Sequence, residues 1–178
     1  MLLLLWRNQP AKTIRPLERF TGMATITHLK AGDPAPDFTG ILHDGSTVSL
    51  ADYAGKKLII FFYPKDDTPG CTAAACSLRD NFGELKAKGY ELLGVSPDKP
   101  AKHQKFIDKH SLPMPLLADE DHEMMDAYGT WGPKKFMGRE YDGVLRTTFV
   151  INEEGIIDRV YTKVKTKVHA EQILEDEA

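Results

Sequence analysis

Cysteine is scarce in this chain: the 178 residues hold two, Cys71 and Cys76. Two thiols cannot staple a small secreted scaffold or complete a structural zinc site, and a domain of this size has no need of a staple. A strong charge of either sign is also missing. Lys and Arg number 23 against 26 Asp and Glu, a formal net charge of −3, so no basic field calls for nucleic acid or an anionic membrane. No apolar run approaches the length needed to span a bilayer. His103, His110 and His122 lack recognised ligand spacings and read as solvated helix surface or helix ends, so no metal is expected. What is present is ordinary for a globular protein, 42% hydrophobic and 28% charged residues. The expectation is a single soluble domain with a free dithiol in a reducing compartment, the cytoplasm, and no nucleic-acid or membrane partner.

Residues 1–22 stand apart. An apolar run at residues 1–6 is shorter than a secretory core and has no basic residue before it. Arg7, Lys12, Arg15 and Arg19 face Glu18 alone, as in a transit peptide, yet the stretch contains no Ser. Met23 reads better as a start. Residues 1–22 are therefore expected to be an N-terminal extension outside the fold, dispensable or a targeting segment, with the folded domain over residues 30–178.

Residues 41–50 alternate loosely around the turn cluster His43-Asp44-Gly45-Ser46, which suggests a small hairpin. Residues 57–63, KLIIFFY, form a continuous apolar run closed by Pro64, as in a strand buried on both faces. From Pro69 the chain reads as helix, with Thr68 as N-cap, Pro69 in the first turn and Gly89 as the stop. A second buried strand follows at residues 90–95, then an amphipathic helix over 99–110 with Phe106 and Ile107 inward. After a short apolar stretch at Leu116-Leu117 comes a helix over 122–128. Residues 144–151 and 156–161 flank Asn152-Glu153-Glu154-Gly155, a hairpin signal, and 167–177 close the chain as a helix. Helical crossovers make the early strands parallel. The fold class is α/β, a central mixed sheet flanked by helices, and a thioredoxin-like fold has this plan.

The chemistry concentrates where the first buried strand runs out. Pro64 and Pro69 stiffen a tight loop, and Cys71 falls in the first turn of the next helix. There the free backbone N–H groups and the helix dipole favour an anion, and the thiolate is the nucleophilic form of cysteine. Thr68, three residues earlier, can offer its hydroxyl to the sulfur or to a bound oxygen. The plainer alternative leaves Cys71 a small buried apolar residue and Thr68 a cap. Arg146 is the second candidate, a charge in an apolar, β-branched strand; it is either functional or an edge-strand residue facing water.

Residues 63–80, YPKDDTPGCTAAACSLRD, resemble the active-site region of the peroxiredoxins. Pro64, Thr68 and Cys71 stand in the Pro-x-x-x-Thr-x-x-Cys pattern. The Cys-x4-Cys spacing of Cys71 and Cys76 is similar to the branch called bacterioferritin comigratory protein, or peroxiredoxin Q. Residues 32–38, 94–100, 117–122, 131–138 and 141–151 carry further likeness, which runs from about Lys30 to the end. The resemblance implies a thioredoxin-dependent peroxidase acting on hydroperoxides. Cys71 would be the peroxidatic cysteine, Cys76 the resolving cysteine that closes an intrachain disulfide, and Arg146, with Thr68, a stabiliser of developing charge. It implies no cofactor, and an intrachain partner removes any chemical need for a dimer, so a monomer is expected. Two other readings are a thiol–disulfide oxidoreductase, which normally has Cys-x-x-Cys, and a redox-sensitive binding protein, which would consume about one peroxide per chain. Five residues along one regular helix separate Cα atoms by roughly 8.7 Å, beyond the ~6.8 Å reach of a disulfide, so closure is expected to require local unwinding.

Overall fold

A computed structural model describes residues 27–177, and the expected extension at residues 1–22 lies outside the described residues. The first hairpin forms as read, from β1 (Thr39–Leu42) and β2 (Thr47–Ser49). Strand β3 (Lys57–Phe62) leads through a loop into helix α1 (Pro69–Asp80) and helix α2 (Phe82–Ala87). Strand β4 (Tyr90–Ser96), helix α3 (Pro100–His110) and strand β5 (Leu116–Ala118) follow. Beyond helix α4 (Glu123–Tyr128) lie β6 (Trp131–Phe136), β7 (Arg139–Val144), β8 (Thr147–Ile151) and β9 (Ile157–Tyr161). A 3-10 turn, Thr166–Val168, precedes helix α5 (His169–Glu175).

Seven strands make one mixed sheet in the order β2-β1-β5-β4-β3-β8-β9. The two helical crossovers make β3, β4 and β5 parallel, while β8 pairs antiparallel with both β3 and β9. Central strand β3 explains its unbroken apolar sequence, because alternate side chains enter two different cores. Ile59 and Phe61, followed by Tyr63, pack with Cys71, Leu78, Phe106 and Ile173 of α1, α3 and α5. Leu58, Ile60 and Phe62 pack on the other face with Met124, Met125, Tyr128 and Phe149. Next to it, Gly94 on β4 has no room for a side chain: a Cβ there would lie 2.5 Å from Leu116 Cδ2 and 2.7 Å from Phe61 Cζ.

Two of these expectations need correction. The helix read from Pro69 to Gly89 is broken at Asn81, whose backbone leaves helical geometry (φ −107°, ψ 13°) and whose side-chain amide donates to the Ser77 carbonyl. Such local amide-to-backbone bonding competes with continuing the helix. The strand read over residues 144–151 is interrupted at Leu145-Arg146, where the chain passes from the β6–β7 hairpin to the main sheet and the Leu145 amide donates to Thr130 O. The hairpin itself escapes a periodicity reading, because Gly132, Pro133 and Gly143 break its alternation and most of its residues are exposed. Its turn is marked by positive φ at both Met137 (49°) and Gly138 (78°), the geometry of a tight hairpin.

Candidate active site

The loop between β3 and α1 is tied down at both ends. The Tyr63 amide extends the ladder of β3 by donating to Val95 O at 3.0 Å, and the Thr72 amide donates to Thr68 O at 2.8 Å. Pro64 follows Tyr63, fixing its own φ and removing a donor where the strand ends. Pro69 occupies the first turn of α1, and Thr68 is the N-cap residue, with extended backbone (φ −93°, ψ 154°).

This loop delivers Cys71 to the first turn of α1, 3% exposed and packed against the core face of β3. Arg146 arrives from 75 positions along the chain, and its Nη2 donates to Cys71 Sγ at 3.2 Å. The break between β7 and β8 makes this reach possible, since Arg146 is not held to one face of a regular strand. Gly70 lies beside the guanidinium, where a Cβ would make an ordinary contact 3.4 Å from Arg146 Nη2. A sulfur at a helix N-terminus beside a guanidinium is a place that favours negative charge.

The Thr68 hydroxyl makes no capping bond to α1 and no bond to Cys71; it donates to Lys65 O at 2.9 Å. Its proton is thereby committed, and its oxygen is left with acceptor capacity. Cys76 lies on the same regular helix, partly exposed, and both cysteines are free thiols. Five helical residues separate them by a rise of ~7.5 Å, so the two sulfurs do not meet in this conformation.

Sequence reasoning missed a buried polar group next to the loop. His103, expected on solvated helix surface, is fully buried on α3. Its ring lies 2.7 Å from Asp66 Oδ2 through Nδ1 and 3.1 Å from Leu117 O through Nε2. The signal was available: residues 103, 106 and 107 follow the i, i+3, i+4 spacing of an inward helix face, with His103 in line with Phe106. Tyr63 donates to Asp66 Oδ1 at 2.6 Å, and burial, reinforced by the Asp66 charge, pushes its phenol well above the usual value.

Two more groups flank the site. His169 on α5 is 1% exposed, bonded through Nε2 to the Thr148 hydroxyl at 2.9 Å. Burial, with the Arg146 charge as a lesser cause, pushes its imidazole down to about 4. Its Nδ1 is buried without a partner in bonding geometry, and the nearby Ala74 backbone of α1 opposes the shift only weakly. Lys134 on β6 donates to Val144 O at 2.8 Å, and burial followed by Arg146 repulsion lowers its ammonium.

No group of three or more His, Cys, Asp or Glu is placed to hold a metal ion among the described residues. Among them, too, no helix is long and apolar enough to cross a membrane.

An α/β sheet that presents a cysteine at a helix N-terminus under a guanidinium defines a thiol-based redox protein of the thioredoxin-like fold. The chain belongs to the AhpC/TSA family, whose model matches residues 31–160. It is 47% identical over 146 residues to peroxiredoxin Bcp of Escherichia coli K12, spanning 82% of this chain and 94% of that protein. A peroxiredoxin of the same type from Haemophilus influenzae is 49% identical over 147 residues, 83% of this chain and 95% of the relative. Among solved structures, the bacterioferritin comigratory protein of Xanthomonas campestris, studied for its alkyl peroxide reduction activity, is similar with a TM-score of 0.74 and 32% identity. That likeness covers 78% of this chain and 88% of that one. The expected family and thioredoxin-like fold are thus borne out, and with them an enzyme of the thiol peroxidase class.

Proposed function

We propose that this enzyme reduces hydrogen peroxide and organic hydroperoxides through Cys71 and is returned to its dithiol form by thioredoxin or a similar dithiol. The Cys71 thiolate attacks one peroxide oxygen, the O–O bond breaks, and the departing oxygen takes up a proton to leave as water or alcohol, with Cys71 as sulfenic acid. The Cys76 thiol then attacks that sulfur, water leaves, and an intrachain disulfide forms. A reductant dithiol exchanges with the disulfide, becoming oxidised itself and restoring both thiols. Arg146 stabilises the anionic sulfur and the charge that develops on the oxygens. Thr68, whose proton is engaged by Lys65 O, accepts the hydrogen of the incoming peroxide. Pro64 keeps the loop stiff so that these groups are set before substrate arrives.

The single observation that carries this reading is the 3.2 Å contact from Arg146 Nη2 to a cysteine sulfur in the first turn of α1. The alkyl peroxide reduction activity of the Xanthomonas relative supports the inclusion of organic hydroperoxides. Because both thiols belong to one chain, the cycle needs no second copy once α1 loosens, and a chain with so few cysteines suits a reducing compartment, the cytoplasm.

Peroxide consumption coupled to thioredoxin, its reductase and NADPH tests the reading with hydrogen peroxide and an alkyl hydroperoxide side by side. Many turnovers per chain are expected from the native protein and none from Cys71→Ser, since a serine hydroxyl supplies no thiolate-like nucleophile at neutral pH. A Cys71→Ser rate above a few per cent of native would remove Cys71 as the nucleophile. Consumption of about one peroxide per chain would mark a sensor instead of a catalyst.

A further inference from the structure

Two carboxylates stand side by side in the loop that leads to Cys71, and both are claimed by α3. Asp67, in the left-handed region at φ 60°, pairs at the surface with Lys109 Nζ at 2.7 Å and His110 Nε2 at 3.0 Å. Asp66 turns the other way and is 2% exposed. Its Oδ1 accepts from Tyr63 at 2.6 Å, and its Oδ2 lies 2.7 Å from His103 Nδ1. Its backbone amide donates to Asp98 Oδ2 at 2.7 Å, and Asp98 is in turn held by Lys102 at 2.6 Å.

The protons in this buried group can be counted. Leu117 O can only accept, so the His103 Nε2 that faces it at 3.1 Å carries a hydrogen. The contact between Nδ1 and Oδ2 then shares one further proton, as an imidazolium with a carboxylate or as an imidazole with a carboxylic acid. Either way the pair is neutral overall, and each polar atom named has a partner. Apolar residues of like volume would pack in such a place at least as well. What a hydrogen-bonded pair adds is direction, because Asp66 is oriented by three separate partners while its own backbone is part of the loop.

We infer that the Asp66–His103 pair anchors the loop of the nucleophile, holding residues 64–68 on α3 so that Thr68 and the first turn of α1 stay aimed at the peroxide. Asp66 and His103 are positioning residues: both are buried, and they act through the backbone two and five residues ahead of Thr68 and Cys71. The inference rests on the peroxidase reading above. It explains how α1 can loosen to bring Cys76 to Cys71 in every cycle while the loop before it keeps its place. The anchors are Tyr63 just past β3, Asp98 between β4 and α3, His103 on α3 and Leu117 on β5, and α1 contributes none of them.

Asp66→Ala and Asp66→Asn, each in the full-length reduced protein, test the anchor. An asparagine amide can still accept from Tyr63 and donate to His103 Nδ1 of a neutral ring, so it keeps the directions and removes the shared proton. Rapid mixing with hydrogen peroxide reads the oxidation step, and dithiothreitol added to the disulfide form reads the reduction step. Asp66→Ala should oxidise about 10- to 100-fold more slowly, the scale expected when catalytic groups lose alignment, with reduction by dithiothreitol within about 3-fold of native. Asp66→Asn should recover most of the oxidation rate with an unchanged pH profile. His103→Gln provides a second route if Asp66→Ala does not fold, and it should slow oxidation selectively as well. Amide hydrogen exchange over residues 65–71 reads the anchor without peroxide: it should accelerate in Asp66→Ala while β4 holds. An oxidation rate within 3-fold of native in folded Asp66→Ala, or an equal fall in both half-reactions, overturns the anchor. An Asp66→Asn variant as slow as Asp66→Ala overturns it too, because the shared proton would then be part of the chemistry. A native protein that does not consume peroxide sinks the peroxidase reading instead, and exchange at residues 65–71 still decides whether Asp66 holds the loop.

Discussion

His169 makes the stability of this enzyme depend on pH in a way that one substitution can isolate. Its imidazole is buried between Thr148 of β8 and the α1 backbone near Ala74, and burial sets it at about 4, against 6.5 for an exposed ring. Between those two values the unfolded chain binds a proton that the folded chain refuses. The contribution of His169 is therefore fully present above about pH 6.5, declines as the pH falls, and is lost by about pH 4. At about 1.36 kcal/mol per pH unit the whole gap is worth about 3 kcal/mol, and going from pH 7.5 to pH 5 forfeits about 2 kcal/mol of it. Other groups add their own pH dependence. Asp119, whose carboxyl is raised by burial against hydrogen bonds from the Met125 and Met124 amides, works in the opposite sense, gaining as the pH falls. The informative quantity is thus the difference between native protein and His169→Asn, which keeps a partner for Thr148 and cannot charge. Urea unfolding of both proteins, fully reduced, at pH 7.5, 6 and 5 measures it. The native protein should lose about 2 kcal/mol more than the variant over that span. Equal losses would refute the argument, showing that the ring is already open to water or that Arg146 and its surroundings accommodate the added charge. Because Ala74 belongs to the helix that must loosen for disulfide closure, the difference should shrink in the disulfide form.

Arg146→Lys keeps the charge and loses the planar fork of donors, so peroxide oxidation should slow by about 10²-fold; near-native kinetics would make the contact with Cys71 incidental. Cys76→Ser should consume one equivalent of peroxide, accumulate Cys71 sulfenic acid and then stall or overoxidise unless an external thiol is added, which mass spectrometry of the intact protein reads directly. In the native protein, disulfide formation should abolish hydrogen-exchange protection across α1 from Thr72 to Arg79 and leave β3 unchanged; equal protection in both forms would show that no unwinding occurs. Gly94→Ala should destabilise the fold by about 1–3 kcal/mol in chemical denaturation, since the new methyl meets Phe61 and Leu116 inside van der Waals contact.

Much of the scaffold around Cys71 was legible along the chain, because it depends on residues close in sequence. The run from Lys57 to Tyr63 reads as a strand buried on both faces and Thr68-Pro69 as a helix opening, and the structure forms β3 and α1 there, with Cys71 at the helix N-terminus. The spacing of Cys71 and Cys76 on that helix set the expectation of unwinding without any coordinates. Where local signals conflict, the reading failed: Asn81 ended a helix that apolar spacing alone would have continued, and glycines hid the β6–β7 hairpin.

Tertiary structure decided the contacts between segments that are far apart in the chain. Arg146 meets Cys71 across 75 positions only because β8 lies next to β3 and the chain breaks from strand geometry just before it. His103 meets Asp66 across 37 positions because the crossover from β4 lays α3 over the end of β3. Its spacing with Phe106 marks an inward helix face, but the partner that makes burial of a polar ring tolerable lies in another segment. The proton-refusing state of His169 arises in the same way, from β8 and α1 closing over a ring whose neighbours in sequence say nothing of it. Periodicity, caps and prolines act within a few residues and can be read one segment at a time. Burial, electrostatic pairing and the aim of a guanidinium depend on which segments the sheet order sets side by side, and those are settled only when the chain has packed.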